Sequence, residues 1–150
     1  MIITFIGHRS IIINDIISNK IKNAITEVIS NETSVKFYCG GYGKFDEICA
    51  SICRKIKANN KNCEIILITP YFTISQQTKI KALLCEKLYD AVIYPPIENY
   101  SPRFAITKRN EWMIKNSDII IAYVSHDYGG AYKSLKYAQK QNKIIMNLAT

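Results

Sequence analysis

The twelve residues Val35-Lys36-Phe37-Tyr38-Cys39-Gly40-Gly41-Tyr42-Gly43-Lys44-Phe45-Asp46 decide the fold. A five-residue strand pattern runs into three glycines within four positions. A helical pattern follows at once, with Phe45, Ile48, Cys49, Ile52, Cys53 and Ile56 on one stripe. Strand, glycine turn and helix in direct succession form the first half of a crossover between parallel strands.

The same unit recurs outward from this stretch. Further strand patterns cover residues 2–6, 64–69, 91–94, 118–124 and 143–148, several of them apolar throughout, as a parallel sheet covered on both faces requires. Helical stripes lie between them. The first carries Ile17, Ile21, Ala24, Ile25 and Val28, with Asn14 or Asp15 as N-cap. The third carries Ile80, Leu83, Leu84 and Leu88 after Ser75 as cap. The fourth, about 103–116, carries Ile106, Asn110, Met113 and Ile114, and the fifth carries Ala131, Leu135 and Ala138 after Gly130. This alternation predicts an α/β fold, a single-domain, Rossmann-like, doubly wound and mostly parallel sheet of about six strands with helices on both faces, spanning 1–150. Pro95-Pro96 and Pro102 bracket the one extended connection, 97–101, and no linker, repeat or low-complexity tract interrupts the pattern.

Composition narrows the classes. With 48% hydrophobic and 21% charged residues in 150, the chain can build a core and is not a disordered one. No apolar run approaches the roughly 20 residues of a membrane span, and the start lacks a secretory layout, so a cytoplasmic protein with no membrane partner is expected. Five cysteines (Cys39, Cys49, Cys53, Cys63, Cys85) without C-x-x-C or H-x-x-x-H spacing are expected as core thiols, with no metal. The net charge of +8 favours anionic partners. The lysines are scattered along helix faces and no basic run interleaves with aromatics, so charge alone makes nucleic acid the less favoured partner.

Ligands of open parallel sheets bind beyond the carboxyl ends of the strands, where the winding reverses. Three loops are expected at that edge. The first, Gly7-His8-Arg9-Ser10, offers a turn glycine and an arginine able to fork onto phosphate, or simply a turn with surface polar groups. The second, Gly40-Gly41-Tyr42-Gly43, leads into a helix whose unpaired N–H groups suit an anion, and Asp46 can cap that helix or accept a ribose hydroxyl. The third, Ser125-His126-Asp127-Tyr128-Gly129-Gly130, repeats the pattern with hydroxyls nearby. Neither G-x-x-x-x-G-K-[ST] nor G-x-G-x-x-G is present, so a Walker ATPase and a dinucleotide oxidoreductase lose ground and no cofactor is expected. The fourth helix supplies Arg103, Lys108, Arg109, Asn110 and Glu111 around Trp112 and Met113. Arg109 lies beside the apolar stripe and needs a partner, either a bound phosphate or, more plainly, solvent or Asp118.

Together these elements resemble the SLOG superfamily, which includes YpsA-like proteins, LONELY GUY-type phosphoribohydrolases and DprA-like DNA-processing proteins. The resemblance covers almost the whole chain. It rests on Ile6-Gly7-His8-Arg9, on Gly40-Gly41-Tyr42-Gly43 with Asp46, and on the series Arg109-Asn110-x-x-Met113, Ser117-Asp118, an apolar strand and Gly129-Gly130. The Gly-His-Arg opening looks most like the YpsA-related branch. The resemblance implies a domain that binds nucleotides or nucleotide-derived signals, places Arg109 where the phosphoribohydrolases carry a functional arginine, and implies self-association as a homo-oligomer. It also implies a second-messenger role as sensor, regulator or sequestering protein, since the superfamily is implicated in bacterial and phage defence signalling. The implied ligand set is Gly7, His8, Arg9, Gly40, Gly41, Tyr42, Gly43, Asp46, Arg103, Arg109, Asn110, Ser125, Gly129, Gly130 and Lys133. The chain departs from the phosphoribohydrolases after the last glycine pair. Ala131-Tyr132-Lys133-Ser134-Leu135-Lys136 brings no carboxylate where those enzymes place a glutamate. N-glycosidic cleavage needs such a group. Binding is therefore the leading expectation. A hydrolase with a relocated carboxylate, using Arg109, Asp46 and Glu111, comes second, and a single-strand nucleic-acid binder of DprA type third.

Overall fold

A computed structural model describes residues 1–149. The strands are β1 (Ile2–Gly7), β2 (Val35–Cys39), β3 (Cys63–Ile68), β4 (Ala91–Ile93), β5 (Ile119–Tyr123) and β6 (Ile144–Asn147). The helices are α1 (Asp15–Ile29), α2 (Gly43–Asn59), α3 (Ile74–Cys85), α4 (Ala105–Lys115) and α5 (Gly129–Lys140), with a 3₁₀ turn at Pro102–Phe104. The six strands form one sheet in the order β4-β3-β2-β1-β5-β6. Every neighbouring pair is parallel.

Residue alternation within each strand divides the core in two. Ile3 and Phe5 of β1 join α1 and α2 through Ile21, Ile25, Phe45 and Cys49. Ile6 of the same strand turns the other way, onto Ile114 of α4 and Leu135 and Ala138 of α5. Successive strand side chains point to opposite faces, so a strand that is apolar at both positions is buried from both sides. Ile3, Ile21, Phe37 and Ile121 have no exposure at all. Removing a side chain of this kind from water stabilises the fold by about 1.5–3 kcal/mol.

Order of winding sets the site. The chain builds β1 to β4 in one direction, then returns to lay β5 against the other edge of β1 and continues to β6. The segments leaving β1 and β5 therefore diverge to opposite faces, and a crevice opens beyond their carboxyl ends.

Several local expectations hold and others are corrected. Asn14 caps α1, its side chain accepting from Ile17 N–H at 3.0 Å. In α3 the cap is Thr73, which accepts from Gln76 N–H, and not Ser75. The expected stripe of α3 is also wrong. Ile80 is its buried residue, Leu84 is 37% exposed, and Leu88 lies beyond the helix. Lys87 adopts φ 58°, and Leu88 N–H closes back onto Leu83 C=O at 3.0 Å, a left-handed helix stop. Among the cysteines, four are buried as expected and Cys85, in the last turn of α3, is exposed. No helix among the described residues is long and apolar enough to cross a membrane.

Candidate functional site

The crevice is a cleft of about 700 Å³ whose walls include Gly7, His8, Arg9, Gly40, Tyr42, Asp46, Arg109, Asn110, Gly129, Gly130 and Lys133. Its volume lies within the roughly 300–1,000 Å³ of small-molecule sites. Loops from β1, β2 and β5 meet there with one face of α4.

Arg109 is the centre of the arrangement. It is only 2% exposed. Nη1 donates to the backbone carbonyls of Gly40 at 2.6 Å and Ile68 at 2.7 Å, and Nε donates to Asn110 Oδ1 at 2.9 Å. The surface-cation and Asp118 readings of this arginine are thereby corrected. Asp118 is occupied elsewhere, accepting from Ile2 N–H at 2.7 Å. Nη2 makes no hydrogen bond to the described chain. Arg109 lines the cleft. The guanidinium is thus fixed by two carbonyls at the cleft wall, with the donors of Nη2 left over. Gly40 permits this approach, since a Cβ there would stand 3.2 Å from Arg109 Cζ and 2.9 Å from Asp46 Oδ2.

Charge around it is shared. The ring of Tyr42 lies 5.3 Å from Arg109 Cζ and 5.8 Å from Arg9 Cζ, within cation–π range of both. Asp46 accepts from Tyr42 N–H at 3.0 Å and so ties the start of α2. Burial raises the Asp46 carboxyl to about 6, against the opposing pull of that hydrogen bond and of Arg109 and Arg9. Burial in turn lowers the Arg109 pKa, with Asp46 holding it up.

Two helix N-termini lie at this edge, and at that of α2 Lys44 N–H donates to Arg9 C=O at 3.4 Å. The N-cap of α2 is Tyr42 and that of α5 is Tyr128, and neither side chain caps its helix. Gly43 has φ 86°, and a Cβ there would meet Arg9 Cα at 3.1 Å, so only glycine lets the first two loops touch. A Cβ added at Gly129 or Gly130 would meet nothing within 4 Å beyond its chain neighbours and its own helix.

The β1 and β5 loops are joined by a column of rings. His8 and His126 stack with centroids 3.5 Å apart, and His126 and Tyr128 with centroids 3.9 Å apart. His8 Nε2 lies 3.1 Å from Ser125 N–H and accepts from it, which requires an unprotonated nitrogen. Burial, and then the neighbouring His126, lower the His8 pKa and keep it so. His126 Nδ1 lies 3.1 Å from Tyr128 C=O.

Most of the expected ligand set therefore converges. Arg103 does not, being exposed over the Phe104 ring at 4.6 Å and outside the cleft. Ser125 lines a shallow depression next door, and Gly41 and Gly43 shape the β2 loop without forming its wall. Glu111 lines the cleft but is paired with Lys108 at 3.3 Å. His126, Tyr128 and Ser134, outside the expected set, also line it. The available signal was an aromatic side chain at alternate positions, 126 and 128, beside a histidine in the first loop. Among the described residues no group of three or more His, Cys, Asp or Glu could hold a metal.

No family model matches the chain, and no curated protein matches it significantly. Solved structures do. DNA processing protein A from Helicobacter pylori, described for its single-stranded DNA binding mode, superposes with a TM-score of 0.62 at 19% identity, over 97% of this chain and 63% of that one. DNA processing protein A from Streptococcus pneumoniae gives a TM-score of 0.62 at 12% identity, over 95% of this chain and 48% of that one. The likeness is one of fold. The chain spans about three-fifths of the first structure and about half of the second.

Proposed function

We propose that this domain binds a nucleotide or a nucleotide-derived molecule through its phosphate. One observation carries the reading. A buried arginine, held by two carbonyls and with Nη2 left over, shares a cleft with the N-termini of α2 and α5, whose N-cap side chains make no cap bond. A phosphate accepts from backbone N–H groups and from the guanidinium together, and the helix dipoles add to the attraction. Arg9 and Lys133, both exposed at the rim, supply further counter-charge. The fold shared with DNA processing protein A supports a ligand of nucleotide chemistry, free or within a single strand, and membership of the SLOG group. Titration calorimetry with AMP, ribose 5-phosphate and a thymidine octamer tests the reading. Binding of at least one, lost in Arg109→Ala, is the expected result, and heat-silent titrations with all three reject it.

A second reading rests on Asp46. A carboxyl raised to about 6 beside an arginine in a cleft is a candidate general acid. In that case the domain cleaves an N-glycosidic bond with Asp46 standing in for the glutamate missing after Gly130. Incubation with nucleoside monophosphates and chromatography for free base decides the matter: base released by the native chain and not by Asp46→Asn establishes the hydrolase.

A further inference from the structure

We infer that the ring column His8–His126–Tyr128 is a stacking platform on which the base of the bound nucleotide rests, with Tyr128 as the contacting ring. This rests on the nucleotide reading above and assigns it a base subsite. The three rings are near parallel, with interplanar angles of 15° and 19°. Two hydrogen bonds brace the column, one from Ser125 N–H to His8 Nε2 and one between His126 Nδ1 and Tyr128 C=O. Its far end is closed by the β1 loop, and its near end is open. Tyr128 is 67% exposed although His126 covers one of its faces. A Cβ added at the adjoining Gly129 or Gly130 would meet nothing within 4 Å beyond its chain neighbours and its own helix, so no other element crowds those positions.

The choice of residue points the same way. Tyr128 occupies the N-cap of α5, where Ser, Thr, Asp or Asn would satisfy a free N–H, and contributes no cap bond. A ring fixed in advance loses little freedom when a second ring stacks on it. Any base has a π-face, so the platform takes purines and pyrimidines alike, and a free nucleotide or one nucleotide of a single strand presents the same surface.

The test compares ligands that differ only in the base. For the native chain AMP is expected to bind about five- to a hundred-fold more tightly than ribose 5-phosphate, the range of one base–aromatic stack. In Tyr128→Ala that ratio should fall to near unity, and Tyr128→Phe should restore it. Tyr128 is exposed, so neither change disturbs the core. A ratio unaltered in Tyr128→Ala, with octamer affinity unaltered as well, overturns the platform but leaves the phosphate site standing. Failure of both ligands and of a thymidine octamer to bind the native chain overturns the nucleotide reading, and the platform with it. Loss with AMP assigns the stacked base to a free nucleotide, and loss with the octamer alone assigns it to a strand.

Discussion

On the proposed reading Arg109 does two jobs. Its Nη1 satisfies the carbonyls of Gly40 and Ile68, and its open edge serves the cleft. Lysine at this position has one nitrogen at the end of a flexible stem and cannot do both. Arg109→Lys is expected to lower stability in urea by about 1–3 kcal/mol, the cost of a buried acceptor left unmet, and to weaken AMP binding at least about ten-fold. Asp46 gives a prediction with the opposite sign. Its carboxyl is raised above the ordinary carboxylate value, so the folded state holds that proton more tightly than the unfolded chain does. Its contribution to stability is full below about pH 4 and is lost as pH rises through about 6. The melting-temperature difference between the native chain and Asp46→Asn should therefore favour the native chain most near pH 4 and decline to a plateau above about pH 6.5. Asn retains an oxygen for Tyr42 N–H and removes a negative charge beside Arg109. At pH 7.5 the variant should bind AMP about three- to thirty-fold more tightly. Weaker binding there would favour the hydrolase role of this carboxylate.

At the scale of elements, α3 differs from its neighbours. Ile80 is its buried side chain, whereas α1 buries Ile17, Ile21, Ala24, Ile25 and Ile29. Ile74 is 84% exposed, and β4 beside it is only half-buried. Few apolar contacts mean a low free energy of local opening. Hydrogen exchange should show α3 amides unprotected well before those of α1 and α2, and equal protection in the three helices would refute this. The sequence misrepresents α3 because an apolar stripe records what a helix could bury and not what the sheet has left to cover. β1, β2 and the glycine loops were legible because their signals are local, an apolar run followed by glycine. The role of Arg109 was not, because its acceptors lie 69 and 41 residues away along the chain. The ring column escaped for the same reason, since His8 and Ser125 are 117 residues apart and meet only once β1 and β5 pair.

At the scale of the whole molecule the question is whether +8 of net charge binds anything by itself. Among the described residues the side-chain ion pairs are Lys57–Asp90 and Lys108–Glu111, so most of the excess cations face water unpaired. A single strand tracking such a surface releases counterions in proportion to the phosphates it lays down, and log K then falls with log salt by about 0.7 per phosphate. A cleft of about 700 Å³ has room for one nucleotide and little more. The salt slope for a thymidine octamer should then stay within about one unit of the slope for AMP, near −1 to −2 for both. A slope for the octamer steeper than about −4 would mean that the surface, and not the cleft, holds the strand. The same titrations carry a stability readout, because a ligand bound only by the folded state stabilises it by RT ln(1 + [L]/Kd). At a hundred-fold excess over Kd this is about 2.7 kcal/mol, a rise in melting temperature of about 5–10 °C for a chain of this length. Cleft binding predicts that rise for AMP at low and at moderate salt alike, once [L]/Kd is held constant, and predicts its disappearance in Arg109→Ala.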